Sequence, residues 1–159
     1  MGKNKFIAIF IALAMMLVGC SKNYMGSIYS NDDKIASDSN SYNLNIDDQS
    51  VDGQSFIGVI KNIEGMDTIW TYEADNDMEL DMTYLLKVSS GKLKLVLISP
   101  DKSVTDIIEM TSESDVTDYA TSTLQIKKGL NRIKMVGGKN TSVEFNISIP
   151  EGEFQELGM

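Results

Sequence analysis

Five acidic side chains occupy alternate positions of one short stretch: Glu73, Asp75, Asp77, Glu79 and Asp81. On a β-strand, alternate side chains project from the same face at intervals of about 7 Å. A bend between Asp75 and Asp77 could bring carboxylates together around Ca²⁺, which takes about six to eight oxygen ligands. We therefore treat Asp75, Asp77 and Glu79 as candidate calcium ligands. The more common alternative is that the acidic residues form the solvated side of a strand.

Histidine is absent from the chain, and Cys20 is its only cysteine. This composition excludes nucleophiles activated by histidine and zinc sites built from cysteine and histidine. Carboxylates of one strand are also poorly placed for glycoside hydrolysis, which needs two carboxyl groups on opposite sides of a sugar ring. We expect no catalytic residues and no cofactor. An envelope hydrolase that works with carboxylates is the least favoured alternative.

Trp70 and Tyr72 share one face of a predicted strand. Two neighbouring aromatic side chains could form a platform for a sugar ring, because each supplies apolar area with a polar group at its tip. A single tryptophan in a β-sandwich is more commonly part of the core. Core packing is therefore the favoured interpretation of Trp70, and a carbohydrate platform is the alternative.

The amino-terminal segment has the composition of a secretory signal peptide. Lys3 and Lys5 precede the uncharged and almost wholly apolar residues 6–18. A basic segment followed by an apolar one of this length is typical of such a peptide, and it is too short to span the ~30 Å hydrocarbon core of a bilayer. We predict that the chain is exported and that residues 1–19 are removed.

The sequence Leu17-Val18-Gly19-Cys20 resembles the lipobox of bacterial lipoproteins. The resemblance implies cleavage before Cys20 and attachment of a diacylglycerol to its thiol. Lipidation would also consume a thiol that has no partner for a disulfide in an oxidising compartment. Because each buried methylene contributes about 0.8 kcal/mol, two or three acyl chains anchor firmly. The resemblance thus implies an extracytoplasmic protein anchored to the bacterial cell membrane, or to the outer membrane if the host has one.

The chain carries a formal charge of −9, which becomes about −11 when the signal peptide takes Lys3 and Lys5 with it. Such a surface repels nucleic acid and anionic lipid head groups. We therefore expect no nucleic-acid partner, membrane contact through the acyl anchor alone, and an envelope protein or a glycan as the possible partner. Residues 21–41 are mostly polar, with scattered apolar residues and no sustained period. This composition predicts a flexible tether that, with the lipidated Cys20, occupies residues 20–41.

The stretch from Met78 to Val88 alternates apolar and polar residues, and only Leu85 breaks the pattern. A period of two predicts a long strand with one buried face. Further alternating segments follow one another at short intervals, with turn-forming residues between them. The sequence predicts an all-β domain over residues 42–150, namely an antiparallel β-sandwich of about eight strands with jelly-roll or Greek-key-like wiring. Residues 151–159 are predicted to be a loose tail.

Three turns are predicted in the second half of the domain. A turn at Ser90-Gly91 would make a hairpin that sets the leucines of residues 93–97 opposite residues 84–88, with Lys87 facing Lys94. A turn at Lys128-Gly129 would join residues 123–126 and 130–136 in another hairpin. A third turn, at residues 137–140, would precede the last strand, 143–149.

The order of strands and turns over residues 67–149 resembles the small jelly-roll accessory domains of secreted bacterial proteins. The resemblance implies a binding or accessory role and supplies no site residues. Our prediction is a lipid-anchored, non-enzymatic module that binds a ligand or associates with the envelope. The alternative is a calcium- or carbohydrate-binding jelly-roll module.

Overall fold

Two long antiparallel strands run side by side through the whole domain, and every other element is arranged around them. They are β2 and β7 in the computed structural model, which describes residues 24–159. Within that range no helix is long and apolar enough to cross a membrane. The elements follow in the order α1 (Tyr24–Ile28), α2 (Asp32–Ile35), β1 (Ser41–Asp52), β2 (Ser55–Ala74), β3 (Met78–Ser90), β4 (Lys92–Ile98), β5 (Val104–Thr111), β6 (Ala120–Ile126), β7 (Gly129–Ser148) and β8 (Glu153–Phe154).

The strands form two antiparallel layers that face each other, as the sequence predicts for a β-sandwich. Layer A has the order β1-β2-β7-β3-β6 and uses the first half of β2 and the second half of β7. Layer B consists of β8, the second half of β2, the first half of β7, β4 and β5. The predicted antiparallel β-sandwich of about eight strands, with its jelly-roll-like wiring, is therefore confirmed.

The strands β2 and β7 pass from one layer to the other where glycines allow their backbones to come close. The register between them shifts around Ile63. Gly65 has φ +109°, and a Cβ atom on it would lie 2.1 Å from the Ser41 carbonyl oxygen. A Cβ atom on Gly137 would lie 2.5 Å from the Ile63 carbonyl oxygen. The turn predicted at residues 137–140 is wrong, because these residues continue β7 around the corner of the sandwich.

The core lies between the inner faces of the two layers. The layer A strands contribute residues such as Phe56, Leu86 and Phe145, whereas β4 contributes Leu93 and Leu95; all five are buried. These positions follow the predicted period of two, since burial alternates along β3 from Leu80 to Val88. The alternation of the sequence therefore identified the side chains that hold the layers together.

The two predicted hairpins are wrong. Strand β3 pairs with β6 and β7, while β4 pairs with β5 and β7, so the turn at Gly91 connects the layers instead of two paired neighbours. Lys87 consequently faces Glu144, and Lys94 faces Glu109. The segments on either side of Lys128-Gly129 likewise belong to different layers, because β6 pairs with β3 and the first half of β7 pairs with β2 and β4.

The prediction of a flexible tether over residues 20–41 is wrong for the part of it that the structure describes. The helices α1 and α2 pack on the outer face of layer B, where Ile28 and Ile35 are fully buried. They cover an apolar cluster that includes Val96 and Ile98. Helices this short are unstable alone. They form because β4 is apolar on both faces, so its outward side chains need a cover.

Polar contacts fix the connection between α2 and β1. The ammonium group of Lys134 is buried and donates hydrogen bonds to the carbonyl oxygens of Ser37 at 2.8 Å and Ser39 at 2.9 Å. Burial lowers the pKa of Lys134 to about 8. The Asp38 carboxylate pairs with the Arg132 guanidinium at 2.7 Å, and chiefly this hydrogen bond lowers the pKa of Asp38. The whole segment from Tyr24 to β1 is thereby held on layer B.

The prediction of a loose tail over residues 151–159 is also wrong. Leu157 is buried in the core, and its backbone N–H donates to the Gln49 side chain at 3.1 Å. The backbone N–H of Gly158 donates to Asp67 at 2.7 Å. Strand β8 pairs with β2 beside Trp70. The carboxyl-terminal residues therefore close one end of the sandwich.

Candidate functional site

The acidic stretch that suggested calcium binding lies at the β2–β3 connection and along β3. Asp77 accepts hydrogen bonds from the Lys128 backbone at 2.8 Å and from the Lys127 ammonium at 3.2 Å, and these contacts lower the pKa of Asp77. The Gln125 side chain donates to Glu79 at 2.9 Å. Asp75 is exposed in the connection. Asp75, Asp77 and Glu79 are thus not brought together, and residues 24–159 contain no group of three or more carboxylates arranged to hold a metal ion.

Trp70 belongs to the core, as the favoured interpretation of the sequence held. Its exposed fraction is 0%, and its ring N–H donates to the Glu151 carbonyl oxygen at 2.8 Å. A Cβ atom on Gly152 would lie 2.5 Å from the Trp70 ring, so the glycine is what lets the carboxyl-terminal segment cover the indole. The alternative, a platform that includes Trp70, is therefore wrong.

Tyr72 lines a shallow groove of about 420 Å³ whose other walls come from β2, the start of β7 and the carboxyl-terminal segment. Its ring lies 5.9 Å from the Trp70 ring, centroid to centroid, and its hydroxyl contacts the Met78 sulfur at 3.7 Å. The ring is therefore partly covered by its neighbours. The groove has three acidic residues in its lining: Glu73, Glu151 and Glu153.

A second concavity, of about 300 Å³, opens between the edge strands β5 and β6. Its apolar lining includes Leu97, Ile107 and Leu124, with Thr105 and Ser122 at the sides. These residues belong to the margin of the core, where the two layers separate. Its lining contains no aromatic side chain.

The outer face of layer A combines apolar and hydrogen-bonding side chains on paired strands. In one row across the sheet, Ile57 of β2 faces Asn146 of β7, which faces Leu85 of β3. Tyr119, just before β6, completes this row, because the next residue, Ala120, pairs with Tyr84. We call Ile57, Asn146, Leu85 and Tyr119 the outer row. Ile57 is 48% exposed and Tyr119 is 56% exposed.

Tyr119 is held across the sheet by a specific contact. The Asn146 side-chain N–H₂ donates to the Tyr119 hydroxyl at 2.8 Å. Strand β3 lies between β6 and β7, so the tyrosine side chain must cross β3 to reach Asn146. The ring therefore lies over the sheet beside Leu85 instead of extending into solvent. An aromatic surface fixed in this way is preorganised for a flat apolar partner.

Polar side chains flank the outer row on both sides. One neighbouring row contains Val59, Glu144 and Lys87. Lys87 and Glu144 are both exposed, and neither forms an ion pair within residues 24–159. The row on the other side contains hydroxyl groups, including those of Ser55 and Ser148, whose oxygens lie 2.7 Å apart. The outer row thus offers an apolar surface, and a carboxylate, an ammonium group and hydroxyls lie close beside it.

Sequence reasoning missed the outer row, although two signals for it were present. Leu85 is the single exception to the alternation of β3, and Ile57 and Val59 add apolar residues to the face of β2 that the pattern assigns to solvent. Single exposed apolar residues are common on protein surfaces, whereas several adjoining ones on the outward faces of neighbouring strands indicate a covered face, as in β4, or an exposed binding surface. Only the arrangement of strands distinguishes these two cases.

Known proteins give a distant likeness to this chain. No family model matches it, and no curated protein matches it. Among solved structures, a variant of the family 29 carbohydrate-binding module CBM29-2 is 10% identical, with a TM-score of 0.42 over 70% of this chain and 81% of that one. Another CBM29-2 variant, complexed with mannohexaose, is 9% identical, with a TM-score of 0.40 over 70% and 82%. A likeness this distant assigns no ligand to this chain.

Proposed function

We propose that this protein is a lipid-anchored, non-catalytic module outside the cytoplasm that binds glycan on the outer face of layer A. The observation that carries the proposal is the outer row, in which an exposed tyrosine is fixed over the sheet beside the half-buried Leu85 and in line with the exposed Ile57. The anchor rests on the lipobox-like sequence that ends at Cys20, which lies outside the described residues.

The chemistry of the outer face suits a sugar chain better than a purely apolar ligand. A pyranose ring has an apolar face of C–H groups and a rim of hydroxyls, so it needs an aromatic or aliphatic surface with hydrogen-bonding groups beside it. Tyr119 and Leu85 supply the surface, while Glu144 and Lys87 supply an acceptor and a donor in the adjacent row. Repeating sugar units would lie along the outer row.

A binding role without catalysis is supported by the composition of this face. The chain has no histidine for general acid–base catalysis. In the rows beside the outer row, β7 contributes the carboxylate of Glu144, and the edge strand β1 contributes Asp48, opposite Val59, and Asp52, opposite Ser55. Neither aspartate lies in the outer row itself, where we place the glycan. The proposed protein therefore holds a glycan and leaves it intact.

The binding face is tested by calorimetric titration of the chain from Cys20 to Met159, with the thiol blocked. The probes are mannohexaose, cellulohexaose and a disaccharide–peptide fragment of peptidoglycan. We expect at least one of them to bind, and Tyr119→Ala to weaken its binding about fivefold to tenfold, which corresponds to ~1 to 1.4 kcal/mol for one aromatic contact. Tyr24→Ala is the matched control, because Tyr24 is 53% exposed on α1, which packs on the cluster of Val96 and Ile98 and not on the outer row.

Three outcomes would contradict the binding proposal. One is the absence of binding heat with all three probes at millimolar concentration, since weaker association would have little value for a binding module. Another is a Tyr119→Ala variant that binds as well as the unaltered chain, whatever the effect of Tyr24→Ala. Loss of binding in both variants to the same extent would also count against a site on layer A.

The anchor is tested separately in cells. Incorporation of labelled palmitate is expected in the unaltered chain and absent in Cys20→Ser. Since Cys20 is the only cysteine, no other thiol can account for the label. Continued labelling of Cys20→Ser would show that the acyl chains are attached elsewhere.

A further inference from the structure

The amino-terminal helices lie close to the proposed anchor along the chain. Four peptide steps separate Cys20 from Tyr24, the first residue of α1. At full extension these steps cover at most about 14 Å. The flexible tether that composition suggested would have reached about 25 Å. The point of attachment therefore lies near α1.

The helices cannot act as an additional tether, because they are part of the folded domain. Ile28 and Ile35 are fully buried in the cluster on layer B. The Tyr29 hydroxyl donates to Glu109 of β5 at 2.9 Å, and burial together with this contact raises the pKa of Tyr29. The Asn40 side chain accepts from the Thr68 hydroxyl at 3.0 Å. The position of α1 thus fixes the position of the whole sandwich.

From these two observations we infer that the lipid anchor holds the helix-covered face of layer B against the bilayer, so that the outer face of layer A points away from it. This inference rests on the lipid anchor of the proposed function. The two layers of a sandwich are stacked about 10 Å apart, so the outer row lies on the side of the domain remote from the attachment point. The glycan-binding face is then presented to the surroundings of the cell and not to the membrane.

The side chains around α1 suit a position at a bilayer surface. Tyr24 is 53% exposed, and a tyrosine combines an apolar ring with a polar tip, as residues at membrane interfaces do. The Lys34 ammonium lies 4.2 Å from the centre of the Tyr24 ring, and the Lys92 ammonium lies 4.0 Å from the centre of the Tyr29 ring. Acidic residues are present on α2 as well. Charge therefore does not drive the contact, which depends on the covalent anchor.

The orientation is tested with the chain from Cys20 to Met159, whose single thiol is coupled to a maleimide lipid in phosphatidylcholine vesicles. The same chain coupled to a short soluble maleimide is the reference. Acetylation rates of individual lysines are then measured by mass spectrometry. We expect vesicle coupling to slow acetylation of Lys34 and Lys92 several-fold and to leave Lys87, on the outer face of layer A, unchanged.

A matched variant carries twenty glycine and serine residues inserted between Asn23 and Tyr24. A coil of this length adds about 25 Å of reach, so Lys34 should regain the acetylation rate of the reference. Equal slowing of Lys34 and Lys87, slowing of Lys87 alone, or no slowing of either would overturn the inference. The coupling chemistry requires neither acylation in cells nor a glycan, so a failure here is distinct from a failure of the palmitate or calorimetric experiments.

Discussion

The buried ammonium of Lys134 gives a quantitative prediction about stability. Lys134 lies on the outer face of layer B, opposite Thr68 and Val96, with its exposed fraction at 0%. Burial lowers its pKa from 10.5 to about 8, because the charged form loses water that two carbonyl oxygens replace only in part. The neutral amine keeps two N–H groups and can still donate to both carbonyls. Deprotonation therefore relieves the desolvation cost without releasing residues 37–39.

The sign and size of the pH dependence follow from the two pKa values. Below about pH 8 Lys134 is charged in both the folded and the unfolded chain, so the full cost of burying the charge opposes folding. Between about pH 8 and 10.5 the unfolded chain binds more protons than the folded one, so the free energy of unfolding rises with pH. At about pH 10 the folded lysine is neutral and the unfolded one is mostly charged. The expected gain from about pH 7 to about pH 10 is therefore about 2.5 kcal/mol.

The measurement is a series of urea unfolding curves across this pH range for the unaltered chain and for Lys134→Met. Other groups titrate in the same range, so the quantity of interest is the difference between the two proteins, in which those groups cancel. From about pH 7 to about pH 10, we expect the unfolding free energy of the unaltered chain to rise by about 2.5 kcal/mol relative to that of Lys134→Met. Lys139→Met, at an exposed position of β7, should show no such change. If the unfolding free energies of the unaltered chain and of Lys134→Met change equally with pH, the argument from burial is refuted.

Two further substitutions test the parts of the fold that the sequence did not predict. Ile35→Ala should lower the unfolding free energy by about 2–5 kcal/mol, since Ile35 is fully buried under layer B. Ile57→Ala, at a position 48% exposed, should cost much less, and equal losses in urea unfolding would mean that α2 is not docked. Gly65→Ala should cost at least about 1 kcal/mol more than Gly53→Ala. Both glycines have positive φ, but only a Cβ atom on Gly65 meets a backbone atom, the Ser41 carbonyl oxygen. Similar melting temperatures of Gly65→Ala and Gly53→Ala would contradict this reasoning.

The failure of the predicted hairpins shows why an alternating pattern does not determine strand pairing. Val88 and Leu93 are both inward-facing, and Gly91 has the positive φ that a tight turn requires. A hairpin and a crossing between layers satisfy these local conditions equally well. The unfavourable pairing of Lys87 with Lys94 was the local sign of error. In the fold each lysine instead faces a glutamate, on β7 and β5 respectively.

The candidate site was predictable only in part for a similar reason. Trp70 was correctly favoured as a core residue, because its size and singularity in a β-sandwich make that the common case. The outer row could not be found from the sequence, since its four members come from segments that are far apart along the chain. Tyr119 in particular lies in a polar loop, where nothing local indicates that Asn146 will hold its hydroxyl.

The amino-acid sequence was enough to determine the all-β class and which residues of strands such as β3 face inward. It also excluded catalysis that uses a histidine side chain. These properties depend on the two-residue period of a strand and on composition, which need no knowledge of distant neighbours. The tertiary structure alone decided which strands share a layer, that α1 and α2 cover layer B, and that the aromatic residue on the free face is Tyr119. Each of these depends on contacts between residues remote in sequence, and their energies arise only when both surfaces are present to be buried.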